Sequence, residues 1–188
     1  TQMEQEAPQD FAELAATAQL FPSQFVESEL GAIPEGWEVG TLSEIIEFNP
    51  KRTLKRGVKA PYIGMADIPE QGYRVNHFMY REMTSGTRFI NGDTLFARIT
   101  PCLEKGKTAY VDVLQNEEVG WGSTEFIVMR PREGIPTAIG YLIARLESFR
   151  SLAIQSMVGT SGRQRADRKT LENIQWVIAP LVLYKRLG

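Results

Sequence analysis

The stretch Gly92-Asp93-Thr94-Leu95-Phe96-Ala97-Arg98-Ile99-Thr100-Pro101-Cys102-Leu103-Glu104-Lys105-Gly106-Lys107 reads as a turn, a strand and a second turn. Asn91-Gly92 opens it as a turn signal, and Pro101 to Gly106 closes it. Along Leu95 to Ile99, the apolar Leu95, Ala97 and Ile99 share one face, and Phe96 and Arg98 fall on the other, because strand side chains alternate. Thr108 to Leu114 alternates in turn and is expected as the return strand of a central hairpin. Lys105 and Lys107 flank a glycine in the connecting turn. Arg98 admits two readings: a solvated strand arginine paired with a carboxylate, or a planar donor fork held for a base edge or a phosphate.

Working outward, further strands are expected at Tyr62 to Ala66, within Glu70 to Tyr80, at Ser123 to Arg130, which is rich in Phe, Ile and Val, and at Trp176 to Ile178. Gln115 to Gly122 reads as a polar turn region. Thr41-Leu42-Ser43-Glu44 matches a capping box and predicts a helix from Leu42 to about Phe48. Pro136 suits a helix start, and Ile139, Leu142, Ile143, Leu146, Phe149, Leu152 and Ala153 recur at helical spacing, for one helix or two joined near Ser148. Thr170 reads as the cap of a last short turn. Upstream, Thr1 to Asp10 is polar and aperiodic and reads as frayed or disordered. Asp10 caps an expected short helix carrying Phe11, Leu14, Ala15 and Ala18, Phe21 to Gly31 is ambiguous, and Trp37 after Ile33-Pro34-Glu35-Gly36 reads as an apolar anchor. Strands and helices mix without βαβ alternation, so the expected class is α+β, a mixed sheet flanked by short helices, with parts of helical connectors at both ends.

The 188 residues suffice for one well-cored domain. No apolar run approaches the roughly 20 residues that span a bilayer. A single cysteine, Cys102, rules out an internal disulfide framework and agrees with a reducing, cytoplasmic setting. With one histidine, His77, it also leaves no ordinary Cys/His zinc site. The net charge of −2 conceals a split. Residues 1–50 carry 10 acidic side chains and no Lys or Arg, leaving all 21 basic residues against 13 acidic ones in the remainder, a net +8. An acidic leader thus precedes a basic body.

No nucleophile set, Gly-x-Gly-x-x-Gly turn or Walker-type loop stands out, and a hydrolase would have to depend on His77, which has no supporting signature. Three basic, glycine-punctuated segments point elsewhere. Lys51-Arg52-Thr53-Leu54-Lys55-Arg56-Gly57-Val58-Lys59 holds five cations and no carboxylate, a solvated loop or a phosphate-tracking one. The turn at 98–107 is the second. Gly159-Thr160-Ser161-Gly162-Arg163-Gln164-Arg165 is the third, a flexible loop or a reader whose arginines suit guanine and whose Gln164 suits adenine.

Ile33-Pro34-Glu35-Gly36-Trp37-Glu38, the stretch Gly92 to Glu104, Gly122-Ser123-Thr124-Glu125-Phe126-Ile127-Val128 and Gly159 to Arg165, in that order, resemble the specificity subunit of type I restriction–modification systems, a bacterial or archaeal defence. The resemblance covers about residues 20–180. It implies a non-catalytic target recognition domain that reads one half of a split site in double-stranded DNA. It also implies long helices that set the half-site spacing and dock modification (methyltransferase) subunits, which methylate adenine, and a restriction subunit for cleavage. S-adenosylmethionine, ATP and Mg are then expected on those partners, and no cofactor in this chain. On this basis residues 1–32 read as an acidic helical leader or the end of a connector, 33–180 as the recognition domain and 181–188 as the start of a truncated spacer helix. The chain resembles one recognition domain cut from a longer subunit. The DNA contacts expected are Arg98, Lys105, Lys107, Thr160, Ser161, Arg163, Gln164 and Arg165, with Lys51, Arg52, Lys55 and Arg56 as phosphate clamps. Glu125 is a candidate to hold Arg98 or another cation in place. The rival reading is a protein–protein scaffold whose Ile139 to Phe149 helix docks a partner and whose basic loops only solubilise.

Overall fold

The β-branched and aromatic runs of the sequence form two four-stranded sheets in the computed structural model, which describes residues 8–19, 21–115 and 117–185. Two compact units divide these residues: a smaller one from 8–40, 134–136 and 175–185, and a larger one from 41–133 and 137–174. No helix among the described residues is long and apolar enough to cross a membrane.

In the smaller unit, helix α1 is Pro8–Ala18. It begins on proline, whose missing N–H is no loss in a first turn. Of the opening expected to be frayed, residues 1–7 lie outside the described residues. The ambiguous stretch resolves as an antiparallel hairpin of β1 (Phe25–Ser28) and β2 (Gly31–Pro34), in register from Phe25↔Pro34 to Ser28↔Gly31. Ser28 Oγ donates to the Gly31 carbonyl at 2.6 Å and accepts from Leu30 N–H at 3.1 Å. Gly31 sits at φ 93°, where a side chain would strain the backbone. Trp37 packs its ring 6.0 Å from that of Phe21. Strand β3 (Glu38–Thr41) pairs with β14 (Gln175–Ile178), and helix α5 (Leu181–Lys185) follows Pro180. Residues 186–188 of the expected spacer helix lie outside the described residues.

In the larger unit, the capping box at Thr41 forms, with Glu44 Oε1 accepting from Thr41 N–H at 2.7 Å. The helix expected to follow it does not run on. One 3-10 turn, Leu42–Glu44, gives way to strand β4 (Ile46–Phe48), whose alternation of buried Ile46, exposed Glu47 and buried Phe48 is strand-like. Pairing with β11 (Phe126–Pro131) at Met129↔Phe48 buries Ile46 and Phe48, and tertiary context overrides the local cap.

One sheet has the order β4-β11-β8-β9, all antiparallel, with β8 (Thr94–Ala97) and β9 (Thr108–Tyr110) forming the expected central hairpin from Thr94↔Tyr110 to Phe96↔Thr108. The other has the order β6-β5-β10-β7, from β5 (Lys59–Ile63), β6 (Met79–Glu82), β7 (Thr87–Phe89) and β10 (Gly120–Gly122). β10 lies in the region expected as a polar turn. It pairs in parallel with β5 and antiparallel with β7. Its glycines are there because a Cβ on Gly120 would overlap the Phe89 ring, and one on Gly122 the Ile63 carbonyl.

Ile63, Ile68 and Phe89 from the second sheet region meet Leu95, Ala109, Phe126 and Val128 from the first in one buried cluster. Phe96 points to the opposite face of its sheet and is buried as well. Its ring lies 5.4 Å from that of Phe149, on α3 (Glu147–Gln155), which follows α2 (Ala138–Arg145). The two helices expected near Ser148 join at Leu146. β8 is therefore buried on both faces. The short hairpin β12 (Met157–Val158) and β13 (Arg165–Ala166) and helix α4 (Arg168–Glu172) complete the unit. The cap of α4 is Asp167, not Thr170: the Asp167 carboxylate accepts from Thr170 N–H at 2.8 Å and from its hydroxyl at 2.9 Å. Thr170 falls at the third helical position, where its N–H and hydroxyl are donors to the cap.

Candidate nucleic-acid interface

Two of the three basic segments are stitched together by backbone. Thr100 N–H donates to the Gln164 carbonyl at 3.0 Å, Ala166 N–H to the Arg98 carbonyl at 2.8 Å, and Ile99 bridges Arg165 antiparallel. The strand end at 98–100 thus carries the 159–165 loop, the turn of the β12–β13 hairpin. Arg98 Nη2 donates to the Ala166 carbonyl at 2.6 Å, tying side chain as well as main chain to the same junction. Glu125 supplies the third tie. Its carboxylate accepts from Arg165 Nε at 3.0 and 2.9 Å and from Nη2 at 2.7 Å. The cation that Glu125 holds is therefore Arg165, and Arg98 turns to a carbonyl instead. The pair also raises the Arg165 pKa, first through the hydrogen bond and then through the charge.

At the loop tip only the main chain is tied, through the Gln164 and Arg163 carbonyls. Arg163 N–H donates to the Thr160 carbonyl at 2.9 Å, closing a tight turn with Gly162 at φ 77°, a position that demands glycine. Thr160, Ser161 and Arg163 are exposed and Gln164 half-buried, and no ion pair engages Arg163 among the described residues.

The 101–107 turn is braced from within. Lys107 Nζ donates to the Met65 and Ile68 carbonyls, both at 3.0 Å. Arg145 Nη1 donates to the Gly106 carbonyl at 2.9 Å, and Arg150 Nη2 to the carbonyls of Leu103 and Glu104 at 3.2 and 3.0 Å. Arg145 and Arg150 escaped the reading of the sequence, since they lie on helices far along the chain. Lys105 sits exposed 3.7 Å from Glu70, a pair of little strength in water. Cys102 is half-buried in the same turn.

The 51–59 segment lies over the outer face of the second sheet, where Leu54 packs against Ala60, Met83 and Trp121. Gly57 N–H donates to the Met83 carbonyl and Met83 N–H to that of Val58, both at 2.8 Å, which leaves Lys51, Lys55 and Arg56 exposed. Arg52 is bound inward: its Nη2 lies 3.1 Å from Oδ1 of the fully buried Asp93, which Arg130 Nη1 also approaches at 3.3 Å. Burial pushes the Asp93 carboxyl up, against the lowering pull of the Ile90 N–H and of the two guanidinium groups. A groove of about 510 Å³ runs between residues 49–53 and 86–88 and brings in Arg88, another residue the sequence did not single out. Thr87 on its wall donates from Oγ1 to the Ser123 carbonyl at 3.0 Å, two residues from Glu125, so the groove borders the segment that anchors the loop. His77 stands on an exposed loop, 3.8 Å from Asp67.

The fold is that of solved chains from type I restriction–modification systems. One, from a study of complex assembly and conformational transition of such a system, superposes with a TM-score of 0.64 at 20% identity, over 82% of this chain and 41% of that one. The HsdS subunit of Thermoanaerobacter tengcongensis superposes with a TM-score of 0.56 at 17% identity, over 99% and 43%. No protein-family model matches. In sequence, the chain is 33% identical over 162 residues to the Escherichia coli type I restriction enzyme EcoAI specificity subunit, and 32% identical over 148 residues to that of EcoEI. It spans 27% and 25% of those subunits, against 82% and 75% of its own length. The chain is thus related to type I restriction specificity subunits and matches a single portion of them, of recognition-domain type.

Proposed function

We propose that this chain is a sequence-specific duplex-DNA recognition domain that reads one half of a bipartite site. The observation that carries this reading is the loop 159–165, fastened at its base by Arg98, Glu125 and Arg165 and presenting Thr160, Ser161, Arg163 and Gln164 at its tip. A rigid base with a donor-rich tip is what base-edge recognition requires. Lys51, Lys55 and Arg56 contact phosphates, whereas Arg98, Lys107 and Arg165 act chiefly by holding the reading surface in shape. The domain is non-catalytic. Modification subunits carrying S-adenosylmethionine, and a restriction subunit using ATP and Mg, do the chemistry on the DNA it selects, in the cytoplasm.

Salt titration of duplex binding tests this reading. Affinity should fall with a log–log slope near −0.9 per phosphate contacted, and a cognate duplex should be preferred over a scrambled one. A scaffold domain using the exposed Leu142 and Leu146 for a partner helix would show neither.

A further inference from the structure

We propose that the groove between residues 49–53 and 86–88 seats a phosphate of the DNA backbone, with Arg88 and Lys51 gripping it beside Arg52, whose Nη2 stays on Asp93. This rests on the duplex-DNA reading above and adds a residue and a site to it.

Strand geometry builds the seat. Arg88 is the partner of Trp121 across β7 and β10, so both side chains lie on the face opposite Phe89. The 51–58 loop covers that same face through Leu54, which brings Lys51 and Arg52 against Arg88. The lining holds three cations and no carboxylate. Arg88 is half-buried and has no ion pair among the described residues, so its charge is left for a ligand in the groove. The local charge points the same way: Asp93 is one carboxylate shared by Arg52 and Arg130, which leaves a positive excess.

Two of the neutral polar groups in the lining are already engaged. Asn49 Oδ1 accepts from Val128 N–H at 2.8 Å, and the Thr87 hydroxyl donates to Ser123. What remains is mainly cationic, one lysine and two arginines around a single groove, and a phosphate is the ligand that such a concentration of positive charge suits. Gly86 belongs to the sheet, since a Cβ there would overlap the Gly122 carbonyl, and it is left unaltered in the test.

The test uses the full chain, with Arg88→Gln, Lys51→Gln and Arg88→Lys, on cognate and scrambled duplexes across a salt series. Each Gln variant should lose affinity on the order of fivefold on both duplexes and flatten the salt slope by about 0.9, while Arg88→Lys keeps the slope. Lys51 is exposed, so its variant reports on binding even should Arg88→Gln misfold. In a second arm, inorganic phosphate is titrated against matched chloride while arginine Nε–H resonances are followed. Arg88 and Arg52 should shift saturably and Arg98 should not. DNA binding with unchanged slopes in both Gln variants, together with no phosphate shift, would overturn the seat and leave the DNA reading standing. A loss confined to one duplex would overturn it in favour of a base contact. Failure of the unaltered chain to bind DNA would sink the DNA reading, and the seat with it as a DNA site. The phosphate arm would then decide by itself whether an anion seat exists.

Discussion

Arg165 closes side-on over Glu125, with Nε and Nη2 both on the carboxylate and the shortest contact at 2.7 Å. Its remaining terminal nitrogen, Nη1, donates to the Arg163 carbonyl at 3.2 Å. An arginine so occupied has little left for a base, and the loop it fastens gains a fixed direction. The two arginines of one short motif thereby divide the work: Arg165 is the bolt and Arg163 the free donor fork.

Glu125→Gln should loosen that loop without unfolding the chain. The pair is part-exposed, with 43% of the Arg165 side chain and 23% of the Glu125 side chain accessible, so global stability should change little. Amide exchange should instead quicken at Thr100 and Ala166, whose N–H groups bond across the junction. Exchange measured by mass spectrometry checks this; unaltered protection at both amides would contradict the bolt.

Arg163→Ala should relax sequence choice, at a cost of about 1–3 kcal/mol on the cognate half-site and little on scrambled DNA. Lys55→Ala should weaken both alike, because a phosphate contact carries no sequence information. Parallel anisotropy titrations on the two duplexes separate these outcomes.

Asp93→Ala should destabilise the fold by about 3 kcal/mol. It leaves Arg52 and Arg130 without their shared acceptor. The cost falls at the lower end of the range for broken buried pairs because the two arginine side chains retain 19% and 28% accessibility. Urea denaturation with an unchanged m-value is the check.

Asp167→Ala should cost about 1 kcal/mol by removing the N-cap of α4. The Thr170 N–H and hydroxyl hold the Asp167 carboxyl below its ordinary value, with smaller help from Arg98 and Lys169. A depressed folded pKa means stability present above the unfolded pKa, about 3.9, and lost as pH falls through the folded one. Asp167→Asn keeps an acceptor but removes this dependence, so wild type and Asn variant should converge as the pH drops below about 4. Denaturation series from pH 7 to pH 2 decide it.

Local chemistry in the chain made several things plain before any tertiary contact was known. The hairpin of Thr94 to Tyr110, the apolar strand at Phe126 and a helical stretch after Pro136, in one piece or two, follow from side-chain period and turn residues, which are properties of neighbours in sequence. The split between an acidic start and a basic body, and the three cationic segments, were equally legible, because charge is counted residue by residue.

What the cations do was decided only in three dimensions. Lys107, Arg98, Arg165 and Arg52 look alike as basic residues in glycine-punctuated runs, yet each is turned toward a carbonyl or carboxylate supplied from 39 to 68 residues away. Arg88 is the converse case, an unremarked strand residue that a loop from elsewhere converts into the wall of a groove. The short strands β4 and β10 were hidden for the same reason. A capping box argued against the first and the polar character of 115–122 against the second, and each forms because a partner strand buries it. Pairing energies between distant segments are not written in local pattern, and they settle which donors remain free to meet a ligand.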